Sequence, residues 1–73
     1  MGRRRTILDR FGQAVRDRRE ALELTQEGLA HRSGLDRTYI SGIERGQRNL
    51  SLLNIERLAR ALDVTIPELF ADV

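Results

Sequence analysis

The chain has 73 residues, 40% hydrophobic and 33% charged, with a formal net charge of +2. This is the composition of a folded domain rather than a disordered tail, and the length leaves room for one domain with a small core. Cysteine is absent, which excludes disulfides, and the single histidine, His31, lacks the partners a zinc site needs, so packing and association with a second subunit are expected to supply the stability.

Gly2-Arg3-Arg4-Arg5 reads as a basic amino-terminal arm, residues 1–5, ahead of a single domain over residues 6–73. No apolar run approaches the roughly 20 residues of a membrane span, and the arm lacks the apolar stretch of a secretory signal, so a cytoplasmic location is expected.

Leu8, Phe11, Val15 and Leu22 recur at helical intervals, which predicts a first helix from about Ile7 to Leu22 with Thr6 as its N-cap. Leu29 and Ala30 lie in a short second helix opened by Thr25 and closed by Gly34. Asp36 caps a third, whose apolar stripe is Ile40 and Ile43 and whose stop is Gly46. Two short helices joined by a glycine turn form a helix-turn-helix unit. Ser51 opens a fourth helix carrying Leu52, Ile55, Leu58, Ala59 and Leu62. Thr65-Ile66-Pro67-Glu68 has capping-box spacing for a short fifth with Leu69 and Phe70. No segment alternates with period two, so the expected fold class is all-α, a compact bundle of five helices.

With Ile40 and Ile43 turned inward, a wheel at about 100° per residue leaves Thr38, Ser41, Gly42 and Arg45 pointing outward. Arg37 lies to one side in the first turn, where its guanidinium can present two parallel donors to guanine O6 and N7. Thr38 adds a hydroxyl and a methyl, Ser41 a small donor and acceptor, and Gly42 removes a side chain that would hold the helix away from a groove. The plain alternative is a solvated surface. Against it, Gln26 opens the second helix where free amides can grip a phosphate, and Arg45, Arg48 and Asn49 follow the third closely enough to hold the backbone on the other side.

Arg19 and Glu44 both point toward the core, and the simplest resolution is a structural ion pair between the first and third helices. His31, Ser33 and Asp36 straddle a helix end and lack the geometry of a nucleophile, base and orienter, so no enzyme activity is expected. Nor is a cofactor or small-molecule effector, for which the chain has no room. Leu53 lies on the far side of the fourth helix from its apolar centre. With Ile66, Phe70 and Val73 it suggests an apolar dimer surface; the alternative is that these residues complete the core.

Leu24-Thr25-Gln26-Glu27, Leu29-Ala30, Ser33-Gly34-Leu35, Ile40-Ser41, Glu44-Arg45-Gly46 and Leu58-Ala59-Arg60-Ala61-Leu62 resemble the phage repressor and Cro-like helix-turn-helix family over about Phe11 to Phe70. Residues Leu35 to Arg45, followed by Arg48-Asn49-Leu50, look closer still to the controller proteins of restriction–modification systems. The resemblance implies a lambda-repressor-like five-helix fold and a recognition helix in the major groove. It also implies homodimers on a two-fold symmetric double-stranded DNA operator, acting as a transcriptional repressor or activator. By the same resemblance Arg37, Thr38 and Ser41 match base-reading positions, and Gln26, Tyr39, Arg45, Arg48 and Asn49 match positions near the phosphates. Arg19 and Glu44 match an internal ion pair. Gly28 departs from the pattern, where a longer polar residue is usual. The basic arm is extra: it either adds a minor-groove or phosphate contact or is disordered. Rival readings are an antitoxin of a toxin–antitoxin pair, which needs a further protein-binding surface, and a protein-interaction module on the same scaffold.

Overall fold

A computed structural model describes residues 6–73; the basic arm of residues 1–5 lies outside the described residues. Five helices follow one another: α1 (Ile7–Ala21), α2 (Gln26–Ser33), α3 (Arg37–Glu44), α4 (Leu52–Ala61) and α5 (Ile66–Leu69). There is no strand among the described residues. Each helix begins where a short oxygen-bearing side chain can accept from an otherwise unpaired amide. Thr6, Thr25, Asp36, Ser51 and Thr65 are the five N-caps, and Thr6 and Thr65 complete reciprocal capping boxes with Asp9 and Glu68.

The helix ends are less uniform than the starts. Gly34 (φ 75°) and Gly46 (φ 74°) take the left-handed conformation that lets the chain reverse. After α1 and α4 the same conformation falls on Glu23 (φ 58°) and Asp63 (φ 59°), which carry a side chain there. Helix α1 accordingly stops at Ala21, one residue before the expected Leu22, which serves as its C-cap. The amide of Leu24 then reaches back to the Arg19 carbonyl at 3.0 Å, and that of Val64 to the Ala59 carbonyl at 3.0 Å. These closing bonds hold the left-handed turns in place.

Val15 from α1, Leu29 from α2, Ile40 and Ile43 from α3, Leu58 from α4 and Leu62 just beyond it are the largest fully buried side chains. Each contributes about 1.5–3 kcal/mol by leaving water. Helix α3 packs against both α1 and α2, α2 against α4, and α4 against α5. The α1–α3 contact depends on Gly12. A Cβ built there falls within contact distance of the carbonyl oxygens of Ile43 and Glu44, which are backbone atoms that cannot swing aside. Arg18 ties α1 to the end of α4 by donating from Nε to the Leu62 carbonyl at 2.9 Å. The result is a scaffold that buries one side of α3 and leaves its first turn exposed.

Candidate nucleic-acid interface

The buried end of α3 is fixed by charge as well as by packing. Arg19 donates from Nε to Glu44 Oε2 at 2.7 Å and from Nη2 to Glu44 Oε1 at 3.0 Å, a two-point contact between side chains that are 11% and 3% exposed. Its Nη1 donates to the Leu24 carbonyl at 2.7 Å. The hydrogen bond to Glu44 holds the Arg19 guanidinium above its ordinary pKa, outweighing burial, which acts the other way. Gln26, the first residue of α2, joins the same carboxylate through Nε2 at 3.1 Å. One amide hydrogen of Gln26 is thereby committed to Glu44.

At the other end of α3, Arg37 and Thr38 are exposed. Arg37 lines a shallow depression with Arg19, Thr25, Gln26 and Glu27, so the first turns of α2 and α3 open onto one surface. Asp36 accepts from the Thr38 amide at 2.9 Å and also from the Thr38 hydroxyl. These two bonds, the hydroxyl first, hold the Asp36 carboxyl below the usual aspartate range.

Ser41 is half-buried, and its hydroxyl oxygen accepts from Arg45 Nη1. Arg45 stands just past α3 as its C-cap and also donates to Gln47 Oε1 at 3.3 Å. Gly42 is buried, contrary to the outward position read from the wheel. Its missing side chain admits Arg48: a Cβ at Gly42 would sit 3.1 Å from both Cγ and Nε of that arginine. The Arg48 guanidinium lies over the Tyr39 ring, 5.4 Å from its centroid, and the Tyr39 hydroxyl accepts from Asn54 Nδ2 at 3.3 Å. Asn49 is exposed beside them. Arg48 is therefore laid along α3 by a cation–π contact rather than left free. Gln47 and Asn54 were not among the residues expected here. Neither has a charge or periodic position that marks it in the sequence.

The apolar residues of the last third divide into two groups. Leu53 is 55% exposed and its neighbour Leu52 74%, so Leu52 points outward although it was counted among the apolar positions of the fourth helix. Ile66, Phe70 and Val73 are half-buried and packed on the core. Phe70 meets Phe11 with ring centroids 5.0 Å apart, and the Val73 carbonyl accepts from Arg10 Nε at 2.9 Å. Ser33 is buried, donating to the Ala30 carbonyl and accepting from the Leu35 amide, so its hydroxyl is engaged locally. Among the described residues no cluster could hold a metal ion, and no helix is long and apolar enough to cross a membrane.

The fold and this exposed first turn of α3 define a helix-turn-helix domain of the kind that lays its second short helix against DNA. The helix-turn-helix family profile matches residues 15–69. The control protein C.MunI of a Mycoplasma species is 46% identical over 65 residues, covering 88% of each chain. The crystal structure of the restriction–modification controller protein C.AhdI from Aeromonas hydrophila superposes with a TM-score of 0.85 at 58% identity, covering 88% of this chain and 97% of that one. The controller protein C.Esp1396I, solved as a tetramer in complex with its natural 35 base-pair operator, gives a TM-score of 0.85 at 38% identity over 93% of this chain and 90% of that one. The chain belongs to the helix-turn-helix family and, within it, to the restriction–modification controller proteins.

Proposed function

We propose that this chain is a cytoplasmic transcriptional regulator that binds double-stranded DNA sequence-specifically as a homodimer on a two-fold symmetric operator, and acts by binding rather than by catalysis. The observation that carries this reading is the exposure of Arg37 and Thr38 at the free end of a helix whose other end is locked into the core. Arg37, Thr38 and Ser41 read base edges, with Arg37 supplying paired donors to a guanine. Gln26, Tyr39, Arg45, Arg48 and Asn49 hold phosphates on either side, and the Arg48–Tyr39 stack orders one of those contacts before DNA arrives. Leu53, with its neighbour Leu52 and the half-buried Ile66, Phe70 and Val73, supplies the apolar surface for the second subunit. Two recognition helices placed in this way enter successive major grooves roughly 34 Å apart. Like the controller protein C.Esp1396I, which was solved on its natural 35 base-pair operator, this chain binds an operator of its own.

The test is selection of binding sites from a random duplex pool, followed by salt titration on the winning sequence. An enriched inverted repeat whose affinity falls steeply with salt is expected. Failure to enrich any sequence overturns the reading in favour of a protein-interaction module.

A further inference from the structure

Asp36 does more than start a helix. An ionised carboxylate only accepts hydrogen bonds, so in its contact with Thr38 the hydroxyl proton belongs to threonine and is donated to Asp36. The same carboxylate oxygen accepts the Thr38 amide at 2.9 Å, which holds the carboxylate in place to receive the hydroxyl. What Thr38 then offers outward is limited to the lone pairs of Oγ1 and the methyl on the other branch of an exposed side chain. It has no hydrogen left to donate.

We propose that Asp36 is a specificity-determining positioning residue that makes Thr38 an acceptor-plus-methyl reader and thereby selects an A·T pair at one position of each half-site. This role of Asp36 rests on the DNA-binding reading given above. In the major groove guanine shows only acceptors, which repel an acceptor-only oxygen. Cytosine shows an amino donor without a methyl. An A·T pair alone shows both an amino donor, on adenine N6, and a methyl, on thymine C5. A threonine free to rotate could donate to guanine O6 and would discriminate poorly; Asp36 removes that option.

The experiment compares binding-site selection for the wild type, Asp36→Gly, Thr38→Val and the double variant, with affinities measured on operators altered at the selected position. Glycine is nearly as good an N-cap as aspartate, so Asp36→Gly retains the helix while freeing the hydroxyl. The wild type is expected to prefer A·T at one position of each half-site. Asp36→Gly should reduce discrimination against G·C at that position roughly tenfold and leave the other positions ranked as before. Thr38→Val keeps the methyl but has no acceptor, and should lose discrimination to a similar extent. In the Thr38→Val background, removing the Asp36 side chain should change the preference no further, because Asp36 acts through that hydroxyl. The proposal is overturned if Asp36→Gly keeps the wild-type preference, if it weakens all sequences by one factor, or if it shifts the preference again in the Thr38→Val background. A wild type that enriches no sequence removes the DNA-binding reading itself, an outcome distinct from a clear wild-type motif that Asp36→Gly leaves untouched.

Discussion

The two ends of α3, a helix of eight residues, are physically unlike. At its carboxy-terminal end Ile43 is buried, Glu44 is clasped by Arg19 and Gln26, and the backbone lies so close to Gly12 that α1 has no space for a methyl. At its amino-terminal end Arg37 and Thr38 are exposed, and the restraint comes from a single cap, Asp36. One helix is thus anchored at one end and presented at the other. A reading element needs both, because side chains aimed at a partner keep their geometry only when the backbone beneath them cannot shift.

The sharpest way to break this contrast is to attack the anchor. Arg19→Ala leaves a 3% exposed carboxylate without its cation, and unfolding in urea should show a loss of about 3–5 kcal/mol. Replacing both partners, Arg19→Met with Glu44→Met, should recover most of that loss, since the desolvation of two charges is removed together with their attraction. If the single variant lost less than about 1 kcal/mol, water would have to reach Glu44 and the anchor would be loose. Gly12→Ala strikes the same contact by steric means. The new methyl meets the carbonyls of Ile43 and Glu44, and a loss of about 1–3 kcal/mol is expected by thermal unfolding, with α1 and α3 pushed apart.

How much of this was legible in the sequence follows from the same contrast. The starts of the helices were readable because an N-cap is a local event, decided by one side chain and an amide two or three residues on, and Thr6, Thr25, Asp36, Ser51 and Thr65 all announce themselves. The pattern at Ile40 and Ile43 likewise oriented α3. What could not be read were events that depend on distant partners. Gly42 stood on the outward side of the wheel, but a helical wheel does not know that the chain after Gly46 folds back and lays Arg48 across it. Gly12 gave no sign of its close approach, which is set by how α1 and α3 cross. Glu23 and Asp63 take left-handed turns that composition assigns to glycine. The place of Ile66, Phe70 and Val73 is of the same kind, since Phe70 lies against Phe11 of the distant first helix.

At the presented end the expected effects concern binding rather than folding. Arg37→Ala should lose about 1–3 kcal/mol of discrimination at one base position while leaving stability unchanged, because Arg37 is exposed. Arg48→Ala should instead weaken binding to all sequences and make the salt dependence shallower by about one unit of slope. Competition titrations on matched and mismatched duplexes distinguish the two. Equal weakening at every site by both variants would dissolve the division between reading and holding.

The smallest effect expected comes from acid, and it isolates the cap itself. Hydrogen bonds from the Thr38 hydroxyl and amide lower the pKa of Asp36 in the folded chain. In the unfolded chain those bonds are gone and the group returns to its ordinary value, roughly 4. Because the folded value is the lower one, Asp36 contributes its full stabilisation above pH roughly 4, and loses it as pH falls below that and passes through the folded value. Asp36→Asn keeps a capping oxygen that does not titrate. Thermal unfolding of the two proteins from about pH 6 down to about pH 2 should therefore show the wild type losing ground to Asp36→Asn only in the acid range, on top of the decline both share from their other carboxylates. Parallel curves would mean that Thr38 does not hold the carboxylate, and the presented end of α3 would then lack the one restraint that distinguishes it from a frayed first turn.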